Sequence, residues 1–228
     1  MNEQELIFLT KNQNISKDKI LQEEAEMIFL NKLAKSPIGS KILFYGGTSL
    51  RLAYDSPRFS EDIDLLKIKR IEFPEFEEFI DQVINENENW KLKDIKNKKQ
   101  TMFALFLIKD EKLKHNFSLK IEIHKTDKKI KIENELRLIK SPTSILNPLL
   151  LVPTLQELEK LKQNALIERK KARDVYDLWF ISQKLRKTFI TPKIEFKERE
   201  FKNELQVFLP KNHYPIIKQL YGKINPEN

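Results

Sequence analysis

The chain has no cysteine, so disulfides, zinc–thiolate centres and thiol catalysis are excluded. Its three histidines, His115, His124 and His213, show no ligand-pair spacing. No apolar run reaches the roughly eighteen residues that a membrane helix needs. The opening stretch MNEQELIFLTKNQ is acidic and too short in apolar length for a secretory signal. These absences predict a cytoplasmic protein with no membrane partner. Glycine is scarce as well, with four in 228 residues. Neither a Walker A lysine loop nor G-x-G-x-x-G occurs. ARDVYDL, at 172–178, has the look of a kinase catalytic loop, but the other kinase motifs are missing.

Charged residues make up 33% of the chain and apolar ones 40%, a globular profile with enough length to bury a core as one domain or two small ones. The net charge of +8 suits an anionic partner, nucleotide or nucleic acid. Lysine- and asparagine-rich usage from an AT-rich genome would give the same excess, so charge alone decides nothing.

Two of the four glycines, Gly46 and Gly47, stand side by side in FYGGTSLRLAYDSPRFSEDIDL. This segment reads as strand (Ile42 to Tyr45), tight turn, helix (Thr48 to Tyr54), loop and strand (Asp62 to Leu66). Glycine lets backbone N–H groups approach a ligand, and the helix start that follows favours phosphate. On the second strand Asp62 and Asp64 share one face, while Ile63 and Leu65 enter the core. Two carboxylates held so close repel unless a cation or a proton lies between them. Carboxylates together with substrate phosphates are what Mg²⁺ takes. Alone, Gly-Gly is a turn and D-x-D a solvated strand edge; in this order they offer a phosphate cradle beside a metal mount.

Upstream, Ser16 to Lys35 is a predicted helix with Ser16 as N-cap. Downstream, Phe73, Phe76, Phe79, Ile80, Val83 and Ile84 recur at helical spacing from Pro74 to about Asn87, a pattern of core packing. Three strands follow, Trp90 to Ile95, Thr101 to Ile108 and Phe117 to His124, with turns at Lys96 to Lys99 and Asp110 to Asn116. On the third strand Leu119, Ile121 and Ile123 face one way, and Lys120, Glu122 and His124 the other. Residues 125–140 read as a basic connector with one more strand. Pro142, Pro148 and Pro153 then punctuate a boundary. Thr154-Leu155-Gln156-Glu157 has capping-box form before a helix that buries Leu155, Leu158, Leu161, Ala165 and Leu166.

The combination GGTSL…RFSEDIDL, followed by Lys162 with Ala165 and Leu166 and then by Arg173, Asp174, Tyr176, Asp177 and Leu178, resembles the AbiEii/AbiGii-type branch of the polymerase β-like nucleotidyltransferase superfamily. The resemblance runs from about residue 40 to 180. One departure is that Gly47 and Asp62 stand slightly further apart than is commonest in the superfamily. Lys160 competes with Lys162 but does not keep the offset to Ala165. On an unbroken helix Lys162, Arg169, Arg173 and Asp177 would fall within about 80° of one another, with Asp174 off that face. Read without the resemblance, this stretch is a solvated basic helix with i, i+4 ion pairs such as Arg173–Asp177.

The resemblance implies an α+β fold: a mixed, partly antiparallel sheet with flanking helices over residues 1–140, then a helical region over 141–228. It implies transfer of a nucleotide from a nucleoside triphosphate to RNA, at the acceptor end of tRNA, by the toxin of a toxin–antitoxin pair with a cognate antitoxin protein. In that scheme Asp62, Asp64 and Glu122 hold Mg²⁺ or Mn²⁺. Gly46, Gly47 and the Thr48 and Ser49 amides cradle the triphosphate. Lys162, unpaired in the empty site, neutralises it from across a cleft, with Arg173 nearby. Arg58 and Ser60 reach the outer phosphates, and Asp174 or Asp177 orients Lys162 or Arg173. Two rival classes share the scaffold: an NTP-dependent protein modifier or phosphotransferase, and a binding module that no longer catalyses.

Overall fold

The computed structural model describes residues 1–125, 131–191 and 194–225. The predicted connector at 125–140 falls partly on residues 126–130, outside that range. The chain opens with helix α1 (Glu3–Gln13), an element that its polar sequence does not announce. Asn2 caps it: its side chain accepts from the Glu5 N–H while the Glu5 carboxylate accepts from the Asn2 N–H, a reciprocal box that ties down an otherwise polar helix. α2 (Lys17–Lys35) follows, with Ser16 at its N-cap position but making no side-chain cap bond.

Strand β1 (Ile42–Tyr45) runs straight into α3 (Gly46–Tyr54), two residues earlier than predicted. Then come β2 (Asp62–Lys67), α4 (Phe73–Asn85), β3 (Trp90–Asn97), β4 (Thr101–Ile108) and β5 (Phe117–His124). These strands form one five-stranded sheet in the order β1-β2-β5-β4-β3. Only β2 and β5 run parallel, so the sheet is mixed, as the α+β reading requires. The β3–β4 turn is tighter than predicted, since Lys96 and Asn97 still belong to β3.

One sheet face is the core. Ile63, Leu65, Ala104, Phe106, Leu119, Ile121 and Ile123 are buried there against Phe29 of α2 and Phe76, Phe79 and Ile80 of α4. The aromatic stripe of α4 is therefore packing. The opposite face carries the polar alternates, and the site forms on it.

A second sheet pairs β6 (Asn134–Leu138) with β7 (Leu149–Pro153), and its ladder joins residues on both sides of position 141. β7 went unforeseen because its leucines sit among three prolines. Helices α5 (Leu155–Arg169), α6 (Ala172–Lys184), α7 (Glu198–Phe208) and α8 (Tyr214–Ile224) complete the described chain. Thr154 caps α5 by accepting from the Glu157 N–H.

Glu26 of α2 is 2% exposed and its Oε1 has no partner. Burial, then the neighbouring Glu23 charge, pushes its carboxyl well above the usual range. A carboxyl with a raised native pKa holds its proton longer folded than unfolded. Stability is therefore intact below the unfolded value and is lost as pH rises. Glu26→Gln is expected to raise the melting temperature at pH 8 and to change it little at pH 4. A difference independent of pH would contradict this account.

Candidate active site

The strand register builds the site. In the parallel β2–β5 pair, Asp64 lies directly opposite Glu122, Asp62 opposite Lys120 and Leu66 opposite His124. Across the antiparallel β1–β2 pair, Tyr45 lies opposite Asp64. Asp62, Asp64 and Glu122, the three predicted metal ligands, thus meet on one half-buried patch although Glu122 comes from a distant strand. His124 joins them: ligand atoms of Asp64, Glu122 and His124 lie within 4.8 Å of one another. Sequence reading placed His124 on this face but discounted it for lack of a histidine partner. The signal was its i, i+2 spacing from Glu122 on an alternating strand.

The acidic patch is partly neutralised by its own neighbours. The Lys120 ammonium lies 3.0 Å from Asp62 Oδ2 and 3.1 Å from Glu122 Oε2. His124 Nε2 stands 3.9 Å from Asp64 Oδ1. Burial works against the Lys120 charge, but Asp62 and Glu122 outweigh it and hold its pKa up. Burial, and then Asp62, raise the Asp64 carboxyl above its usual range. The Tyr45 hydroxyl is pushed up by the same burial and by the two carboxylates it faces, Asp64 and Glu122.

The glycine pair serves these side chains directly. Gly46 has φ +88°, which L side chains rarely adopt, and a Cβ there would fall 2.4 Å from Asp64 Oδ2. A Cβ on Gly47 would fall 2.5 Å from Arg58 Nη2 and 2.8 Å from Ser60 Oγ. The helix thus starts hard against the carboxylate strand, and Thr48 Oγ1 donates to the Asp62 carbonyl to fix it there. No side chain caps α3 at its N-cap, Tyr45. Of the four cradle residues only Gly46 lines the cavity; the side chains of Thr48 and Ser49 are buried behind it.

That cavity, of about 460 Å³, lies between the carboxylate face and α5–α6. The unbroken helix on which a common face from Lys162 to Asp177 depends does not form. α5 ends at Arg169, Lys170 takes a left-handed φ of 47°, and α6 begins at Ala172. The turn replaces the common face of Lys162, Arg169, Arg173 and Asp177 by a different constellation. Lys162 Nζ lies 3.3 Å from Asp174 Oδ1 and 2.6 Å from Asp177 Oδ2. Both aspartates therefore hold it, and at 5% exposure it is not the unpaired lysine expected. Arg169 grips Asp174 through Nε and Nη2, each at 2.7 Å. Arg169 also lines the cavity and was missing from the predicted binding set.

Arg58 needs the plainest correction. It is 2% exposed, gives Nε and Nη2 to Asp177 at 2.7 and 2.8 Å, and gives Nη1 to the Phe59 carbonyl. With its donors so engaged inside the protein, it is not placed to reach outer phosphates. Burial works against both charges of this pair, but each holds the other: Asp177 keeps the Arg58 pKa up, and Arg58 and Lys162 keep the Asp177 pKa down. Arg173 does not pair with Asp177. It lines the cavity, with its nearest ion-pair contact Glu204 at 3.8 Å, and Glu204 accepts the Ala172 N–H at the start of α6. Ser60 is half-buried against Gly47, away from the cavity wall. Lys160 is exposed and paired with Glu157.

The arrangement sets hard oxygen donors opposite a wall of cations, a layout suited to a polyphosphate bridged by a divalent cation. No helix among the described residues is long and apolar enough to cross a membrane.

Comparison with known proteins identifies the scaffold. The family model for the AbiEii nucleotidyl transferase toxin of type IV toxin–antitoxin systems matches residues 28–220. Comparison with individual curated proteins finds no significant match. Among solved structures, the chain is similar to JHP933 of Helicobacter pylori at 19% identity and TM-score 0.57, covering 92% of this chain and 95% of that one. It is similar to MenT4, a nucleotidyltransferase toxin of Mycobacterium tuberculosis, at 14% identity and TM-score 0.60, covering 98% and 90%. At such identities these two likenesses establish the fold alone.

Proposed function

The chain belongs to the AbiEii family of nucleotidyltransferase toxins, and from that premise we propose that it moves a nucleotide from a nucleoside triphosphate to an RNA acceptor at the 3′ end of tRNA, dependent on a divalent metal. A cognate antitoxin and an NTP substrate accord with membership of a type IV toxin–antitoxin family.

The observation that carries the reading is the register that sets Asp64 opposite Glu122, with Asp62 and His124 beside them and the uncapped start of α3 alongside. The donors fit Mg²⁺ or Mn²⁺: carboxylate oxygens dominate, and one imidazole stands in reach. Asp62, Asp64 and Glu122 would hold the metal, which when bound supplies charge stabilisation at the entering and leaving oxygens. Gly46 and the amides after it would face the triphosphate from one side. Arg169 and Arg173 would meet its charge from the other. Lys162, held by two aspartates, would add positive potential behind them and fix the α5–α6 corner. Total RNA incubated with each triphosphate, α- or γ-labelled, tests the reading. α-label on RNA supports it; γ-label on protein would mark a phosphotransferase, and no label a binder.

Lys120 stands where a metal ligated by Asp62 and Glu122 would compete with it. Lys120→Met should therefore tighten Mn²⁺ binding to the nucleotide-free protein by on the order of ten-fold, since a paired half-buried charge must otherwise be displaced. Titration followed by electron paramagnetic resonance reads this directly. Unchanged or weaker binding would remove Lys120 from the role of competitor.

A further inference from the structure

The sheet face that carries the carboxylates continues across β4 towards β3, and its composition changes abruptly. Phe103 lies directly opposite Glu122 in the antiparallel β4–β5 pair, so the two side chains share a face about 5 Å apart at Cβ. On its other side Phe103 lies opposite Lys96 of β3. The Lys98 ammonium stands 4.4 Å from the centre of the Phe103 ring. Lys125, next to His124, reaches the Lys98 carbonyl and the Asn97 side chain, which fastens the β3–β4 turn against the end of β5.

Phe103 does not serve the core. Its neighbours Met102, Ala104 and Phe106 are buried there, whereas Phe103 is only half-buried and belongs to none of the hydrophobic clusters among the described residues. A half-buried aromatic flanked by Lys98 and by Lys96, which also pairs with Asp94, and one strand from a carboxylate centre, combines a stacking surface with phosphate-neutralising charge. That combination recognises single-stranded nucleic acid. A carboxylate centre repels phosphates, so an acceptor strand needs such a positive approach to reach it.

We propose that this face, centred on Phe103, is the platform on which the single-stranded end of the RNA acceptor stacks, with its terminal hydroxyl presented to the Glu122 side of the cavity. The proposal rests on the RNA reading of the preceding subsection and adds where the acceptor lies. Stacking is sequence-tolerant because every base has a π-face, so the platform selects an unpaired end rather than a base identity. The lysines supply the salt-dependent share of the affinity.

The test is fluorescence anisotropy with a labelled twelve-nucleotide single-stranded oligoribonucleotide, in buffer with chelator so that no turnover occurs. Phe103→Ala should weaken binding about 5- to 150-fold, the effect of losing one stacked base. Phe103→Trp should retain affinity, with its indole emission quenched by the oligonucleotide. Exchange of Lys96 and Lys98 together for glutamine should lower the slope of log affinity against log salt by roughly 1.4, about 0.7 per lysine. Melting curves and triphosphate affinity serve as folding controls. A folded Phe103→Ala protein with unchanged oligonucleotide affinity overturns the proposal, as does an unquenched Phe103→Trp. Labelling separates the two failures. α-Label on RNA together with unchanged anisotropy sinks the platform alone. Label on a protein acceptor sinks the RNA reading, and the platform with it.

Discussion

Asp64→Ala should abolish nucleotidyl transfer while leaving the protein folded. Asp64 is the central carboxylate: it lies opposite Glu122 of the neighbouring β5, stands 3.9 Å from His124 and abuts the only glycine with positive φ among the described residues. Removing one ligand of a metal site forfeits transition-state stabilisation worth several kcal/mol, which at about 1.4 kcal/mol per decade is a loss of at least about a thousand-fold. The fold gains little from this carboxylate. Burial and Asp62 both raise its pKa, so its ionised form is a strain on the native state. The melting temperature should hold or rise. Turnover and melting measured together decide it: a folded, fully active variant would remove Asp64 from the chemistry, and an unfolded one would make it structural.

Arg58→Met should have the largest effect on stability. Both Arg58 and Asp177 are fully enclosed, and the guanidinium makes two parallel contacts with the carboxylate. Breaking a buried pair from one side costs about 3–5 kcal/mol, because the remaining charge stays buried. Asp177 would keep Lys162, which places the loss near the lower figure. About 3 kcal/mol in a chain of this size lowers the melting temperature by roughly 6–12 °C. Arg58→Lys should recover only part of it, since an ammonium cannot reproduce the two-pronged contact. A phosphate ligand would behave in the opposite way: triphosphate affinity would collapse and melting would stay put. That outcome would overturn the structural assignment of Arg58. Lys162→Met draws on the same network and should also cost stability, unlike the mutation of a free lysine.

The contrast between these residues shows what a sequence can disclose. The alternation of Asp62 to Leu66 and of Phe117 to His124 states which side chains face the core, and the structure places them so. Register across non-adjacent strands is not written locally. That Glu122 meets Asp64 rather than Asp62 follows from the parallel β2–β5 pairing, which a resemblance can supply but periodicity cannot. His124 was visible on the right face and was discounted because metal sites were sought as histidine pairs. The break at Lys170 carries neither glycine nor proline, so nothing in the local composition announces a left-handed residue there. The expectation that Arg58 reaches the outer phosphates rests on its place just before the acidic motif. Its actual partner is 119 residues away in sequence, at a distance that no local pattern encodes.

The Arg58–Asp177 clasp also bears on how the molecule admits its substrates. It ties the loop before β2 to α6, and the Phe59 N–H donates to the Phe208 carbonyl at the end of α7 beside it. Walls fastened at their base resist swinging apart as separate lobes. Such fastening favours an aperture set before substrates enter, with their orientation supplied by the walls. The same fastening makes the carboxylate strand and α6 one cooperative unit, so their slowest-exchanging amides should lose protection together as denaturant is raised.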